Sequence, residues 1–216
     1  PASASSYHVS RQVFAKHLGA IARSGAHVCA AGEALARVDD ADIVVITFDD
    51  GWMGSFDLAV PLLLERGWRA TYYVTRDFVG RPHFGVAATL RAAAAAGMEI
   101  GVHGVTHRML SALPRHDVVA EFRDCRMWLE DLLGQPVRHA SLPGGDYTPT
   151  IAECAREAGL ASLANSRPGL NRASSSPFDI HRLAVKGATS LDDVARWCRF
   201  DVVREQARWS LLQVPR

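Results

Sequence analysis

The sequence predicts one α/β domain of parallel βα units, laid out either as an open sheet or as an incomplete barrel. Three observations predict it. Apolar, β-branched runs of strand length alternate with stretches of helical periodicity along the chain. Gly67, Gly97, Gly134 and Gly159 each follow a helical stretch, where a left-handed closing residue belongs. The length of 216 residues suits one medium domain and falls short of two ordinary ones.

The elements follow in order. The small polar segment 1–6 reads as a loose N-terminal end, extending to about residue 8. Val13, Phe14, His17, Leu18 and Ile21 have helical spacing, with Ser10 as N-cap. Residues 43–48 form a β-branched run suited to a strand buried on both faces. A helix over 56–66, a strand over 69–74 and an Ala-rich helix over 86–96 come next. Residues 99–103 read as a strand, and 114–133 as a long helix with Pro114 in its first turn. A strand over 137–142, a helix over 148–158 and a strand over 160–164 continue the alternation. After a loop rich in Ser, Pro and Asn, 180–185 reads as the sixth strand and 191–208 as the last helix. No repeat, low-complexity tract or linker interrupts the chain, so residues 1–216 are expected to form a single domain.

Composition narrows the function. The apolar fraction is 48% and the charged fraction 22%, an ordinary globular balance. With 24 basic and 23 acidic residues, nothing marks a nucleic-acid or anionic-membrane surface. Cys29, Cys125, Cys154 and Cys198 match no metal-ligand spacing and are expected as free, partly buried thiols. No apolar run is long enough to span a bilayer. The absence of a signal peptide favours the cytoplasm; because the chain starts at Pro1, removal of a leader would instead place it in the periplasm or outside the cell.

Three segments carry the chemistry: Thr47-Phe48-Asp49-Asp50-Gly51, His103-Gly104-Val105-Thr106-His107, and Leu142-Pro143-Gly144-Gly145. Each falls just after a predicted strand, and parallel α/β folds build their sites at the carboxyl ends of strands. Adjacent aspartates there are costly unless something positive compensates them. Strand alternation aims them differently, which suits one ligand and one base; a turn leading into Gly51 is the other reading. The histidines, spaced i, i+4, would share one face of a helical turn and one ion. Among nine histidines a chance pair at that spacing is common. Two histidines and a carboxylate make a known catalytic zinc set, whereas calcium would want more oxygens.

Together the motifs resemble the polysaccharide deacetylase family, carbohydrate esterase family four, with its NodB-homology domain. PLLLERGWRATYYV, AAAGMEIGVHGVTHRML, SLPGG and FDIHRLAV fall where that family has its second strand, metal-binding segment, third motif and late strand. The resemblance implies a distorted, incomplete (β/α) barrel. It implies that Asp50, His103 and His107 bind one divalent metal, zinc foremost, with cobalt or nickel as alternatives. Asp49 would be the catalytic base for a metal-activated water attacking an N-acetyl group, and the Gly144 N–H, beside Gly145, the oxyanion donor. The implied partner is an N-acetylated saccharide.

Two departures stand out. Ser141 occupies the place where many members carry an arginine, and Gly144 that of an aromatic. Arg182 is the candidate replacement for the arginine, with a surface ion pair as its other reading. The family's late histidine is missing, so His181 and His139 become candidate general acids, against structural or exposed roles. Trp52 either floors a sugar site or packs, and Asp146 and Tyr147 either line the cleft or form a polar turn. The expected activity is N-deacetylation of an amino-sugar or polysaccharide. The alternatives are hydrolysis of another C–N bond and a saccharide binder without catalysis.

Overall fold

The structure, a computed structural model, describes residues 7–37 and 42–212; the expected loose end over 1–6 lies outside them. Helix α1 (Arg11–Ser24) starts where Ser10 accepts from the Val13 N–H and stops at Gly25, φ 76°. Then come β1 (His27–Cys29), α2 (Ala31–Ala36), β2 (Ile43–Val45), β3 (Thr47–Phe48), α3 (Val60–Leu64) and β4 (Thr71–Val74). Helix α4 (Ala87–Ala95), β5 (Glu99–Val102), α5 (Arg115–Leu133), β6 (His139–Ser141), α6 (Pro149–Glu157) and β7 (Ser162–Ala164) follow. Two helices, α7 (Leu191–Trp197) and α8 (Val203–Leu212), close the chain.

Strands β3 to β7 pair in parallel in sequence order and curl into a half-barrel, while β1 and β2 form a separate parallel pair. Side-chain alternation gives the main sheet two unlike faces. Tyr72, Val74, Ile100, Val102, Ala140 and Leu163 point towards the helices and belong to the hydrophobic core. The other face is polar: Thr71 bonds Glu99 at 3.4 Å, and His139 meets Ser162 at 2.8 Å. The N-terminal turn of α2 plugs the amino end of this face, with the N–H of Ala31 on Thr71 Oγ1 (2.8 Å) and that of Gly32 on Glu99 (2.7 Å). No helix among the described residues is long and apolar enough to cross a membrane.

Gly101 is the tightest point of the polar face. A Cβ there would lie 2.6 Å from the Tyr73 ring and 2.7 Å from the His139 carbonyl oxygen. Gly101→Ala is expected to cost ~1–3 kcal/mol, the usual range for overpacking, seen as a lower melting temperature by circular dichroism. An unchanged melt would contradict this close packing.

Four expectations need correcting. The strand over 43–48 is two strands in two sheets, because Ile46 leaves β1 and gives its carbonyl to the Thr71 N–H at 3.0 Å. The helix over 56–66 begins as a wider turn, Ser55–Ala59, ahead of Pro61, which has no N–H to give. The expected strand 180–185 makes a single parallel bridge, Ile180 with Ala164. Beyond it the backbone donors turn to loop partners, the His181 N–H to Asn171 (2.9 Å) and the Arg182 N–H to the Arg167 carbonyl (3.1 Å). The final helix breaks after Trp197, where Phe200 is left-handed (φ 61°). Arg196 bridges the break, 2.9 Å from both Asp193 and Glu205. Strand β1 and helix α2, which the sequence pattern did not separate, are three and six residues long.

Candidate active site

The three motif segments converge at the carboxyl ends of β3, β5 and β6. Asp50 (φ 71°) and His107 (φ 61°) both hold left-handed backbone, a conformation costing ~1–3 kcal/mol for a residue with a side chain. Strain of that kind persists only where the surroundings enforce it. Here Glu121 of α5, itself buried, accepts from the N–H groups of Val105 (2.6 Å) and Thr106 (2.9 Å). That carboxylate pins the loop between the two histidines. The His103–His107 segment is accordingly an open loop rather than the expected helical turn, and Gly104 (φ 78°) folds it back.

That fold places the Asp50 Oδ1 atom 3.2 Å from His103 Nε2 and 3.0 Å from His107 Nε2. All three donor atoms lie within 4.8 Å of one another. His103 is buried, and its Nδ1–H faces the Ser141 carbonyl (3.0 Å) and Oγ (2.6 Å). This fixes the tautomer that leaves an Nε2 lone pair for an ion. Phe78 stacks on His107 at 5.4 Å, and the Trp52 indole N–H donates to Asp50 Oδ2 at 3.1 Å. Burial works to raise the Asp50 pKa, but the neighbouring imidazoles of His103 and His107 outweigh it and hold the carboxyl below its ordinary value. The bond to Asp50 likewise raises the pKa of His107. Two imidazole nitrogens and one carboxylate oxygen, each oriented by a second partner, fit a divalent transition ion.

Asp49 points to the polar face. The Arg182 guanidinium grips it with two bonds, Nη1 to Oδ1 (2.7 Å) and Nη2 to Oδ2 (2.8 Å). Arg182 is itself fixed by the Asn165 carbonyl (2.9 Å) and lies over the Tyr73 ring. Ser141 Oγ donates to Asp49 Oδ1 at 3.2 Å, so this serine touches both Asp49 and His103. Burial would raise the Asp49 pKa; the charge and hydrogen bonds of Arg182 overcome it and keep the carboxylate ionised.

The remaining residues divide. Trp52 joins the site through Asp50 and stacks on Phe84 at 4.3 Å, and the residue is 43% exposed. The Gly145 N–H is taken by the Leu142 carbonyl (2.8 Å), whereas that of exposed Gly144 has no acceptor among the described residues. His181 packs its ring on Gly169 and turns Nε2 towards Asp179, 3.8 Å away. His139 lies deeper on the polar face, beside Ser162 and below Gly32. A second group of possible donors, His27, Cys29 and Glu33, sits with α2 at the amino end. There Glu33 is paired with Arg37 (3.3 Å), and burial pushes the Cys29 thiol up to about 11, which disfavours the thiolate an ion needs. All four cysteines are free and buried. Glu121, which holds the loop between the two histidines, is the residue that the sequence reading missed.

Known proteins resemble this chain in sequence and in fold. The sequence model of the family described as polysaccharide deacetylase matches residues 36–163. A Bacillus subtilis (strain 168) protein named for that family, YxkH, is 25% identical over 147 residues, 68% of this chain and 53% of that protein. The chain thus spans about half the length of this curated relative. IcaB from Ammonifex degensii superposes with a TM-score of 0.81 at 25% identity, covering 89% of this chain and 91% of that one. The Streptococcus pyogenes deacetylase PplD, solved in complex with acetate, also gives a TM-score of 0.81, at 19% identity and covering 87% and 86%.

Proposed function

This chain belongs to the polysaccharide deacetylase family, and from that premise we propose that it is a metal-dependent N-deacetylase of an amino-sugar, free or in a polymer. One observation carries the reading. A carboxylate gripped by Arg182 at 2.7 and 2.8 Å stands one residue from the Asp50, His103 and His107 donor set. A base and an ion site side by side are what amide hydrolysis needs; saccharide binding alone needs neither.

Asp50 Oδ1, His103 Nε2 and His107 Nε2 would hold the ion, zinc in the first place, with cobalt or nickel as alternatives. When bound, such an ion supplies Lewis acidity to the acetyl carbonyl and lowers the pKa of water. Asp49 takes the proton of the attacking water. Its Oδ1 already accepts from Arg182 and Ser141, while Oδ2 accepts from Arg182 alone and keeps a lone pair for that proton. The free N–H of Gly144 donates to the developing oxyanion. The protonated Asp49 then stands in place to return its proton to the leaving amine, so the C–N bond breaks to give acetate and a free amino-sugar.

Acetate release from a panel of N-acetylated sugars and oligomers, with added zinc, cobalt or nickel, tests the proposal. No release from any of them by ion-loaded protein would overturn it. Arg182→Ala is expected to lower turnover by ~10²-fold, as misplacement of a reacting group does, with bound ion unchanged. His181→Ala is expected to lose far less than the ~10²–10⁴ that a general acid contributes. A loss within that range would return His181 to the acid role.

A further inference from the structure

Next to the third motif segment opens a cleft of about 470 Å³, lined by Gly144, Gly145, Asp146, Tyr147, Arg167 and Trp209. Its size is that of a small-ligand site, ~300–1,000 Å³. Gly144 is shared with the proposed oxyanion position, so a group filling this cleft is the immediate neighbour of the reacting acetamide. Two of the lining side chains are aromatic, and flat apolar faces with a polar edge suit the C–H faces of a sugar ring. Arg167 lies over the Tyr147 ring at 4.8 Å and donates Nη2 to the Tyr147 carbonyl at 3.2 Å. Its other guanidinium N–H groups make no hydrogen bond within the described residues, and no carboxylate there lies within 4.0 Å of it. Trp209 comes from α8, which the Arg196–Glu205 pair (2.9 Å) fastens to α7. The cleft is therefore completed by a segment outside the family match over 36–163.

We infer that this cleft is the subsite for the sugar linked to the acetylated one, and that Arg167 selects a carboxylated sugar there. The inference rests on the deacetylase reading and adds a substrate class, an acidic oligosaccharide. Tyr147 and Trp209 hold the ring, Asp146 accepts from its hydroxyls, and the planar guanidinium meets the carboxylate with two parallel N–H groups.

The test uses the full chain with two tetrasaccharides, one of N-acetylglucosamine alone and one alternating N-acetylglucosamine with glucuronate. Acetate release is followed with zinc present, and binding is followed by calorimetry without it. The expected result is a ~10-fold or greater preference of wild type for the acidic tetramer in kcat/KM and in affinity. Arg167→Ala and Arg167→Gln should both remove that preference, the second guarding against a folding defect in the first. Trp209→Ala should weaken binding of both tetramers alike. Equal handling of the two tetramers by wild type, or a preference that survives both arginine variants, would overturn the inference. An Arg167-dependent binding preference with no acetate released would uphold the subsite and count against the deacetylase reading instead.

Discussion

Asp49→Asn is expected to lower turnover by ~10³-fold or more while the protein keeps its ion. The general-base contribution alone is typically ~10²–10⁴, and the amide cannot take up a proton at the pH where the carboxylate does. The substitution preserves shape, so Ser141 and one N–H of Arg182 retain an acceptor. It also removes the charge that offsets buried Arg182, whose side chain is 15% exposed, so some loss of stability accompanies the loss of rate. Acetate release together with elemental analysis of the same sample checks both parts. If Asp49→Asn were emptied of ion and Asp50→Asn were not, the roles of the two aspartates would be exchanged.

Removal of any one of the three donors is expected to abolish stoichiometric ion binding. The fall in affinity should exceed the ~10–100-fold typical of losing an outer partner. The two histidines should differ in what else they take with them. His103 is 2% exposed and bonded to Ser141, so His103→Ala opens a cavity, strands a polar partner and lowers the melting temperature. His107 is more open and left-handed, so His107→Gly loses the donor yet relaxes the backbone, leaving the ion-free melting temperature level or raised. Undiminished ion content in all three variants would remove this donor set from consideration.

The motif loops were legible because their chemistry and their backbone demands coincide. Asp49-Asp50-Gly51 and His103-Gly104 each follow an apolar strand and each carry a glycine at positive φ, where a sharp exit is required. The expectation that Arg182 of the late segment replaces the family's arginine rested on the resemblance and on charge: an aspartate beside a second aspartate needs a cation, and Ser141 offers none. Glu121 was missed although it left a trace. It falls on the buried stripe of α5 with Val118, Phe122, Cys125 and Leu129, and a carboxylate on an apolar helical face calls for N–H partners elsewhere. Where sequence reasoning went astray, pairing had overridden local preference. Residues 43–45 and 47–48 share one β-branched run, and nothing in that run says that its two halves pair with different strands. The late segment has strand composition, yet Asn171 and the Arg167 carbonyl capture the donors a ladder would use.

The two faces of the main sheet have a consequence for how this chain can change. Cohesion resides on the side turned to the helices, where Tyr72, Val74, Ile100, Val102 and Leu163 pack, whereas the proposed site occupies the opposite side and its rim. Tyr147 packs against that layer and Gly144 (φ 66°) is strained by any side chain, whereas a substitution that retunes specificity at Arg167 alters no contact of it. Such a position is free to drift towards new substrates while the fold's thermodynamic reserve stays intact, and the strained residues Asp50 and His107 are where innovation and robustness compete.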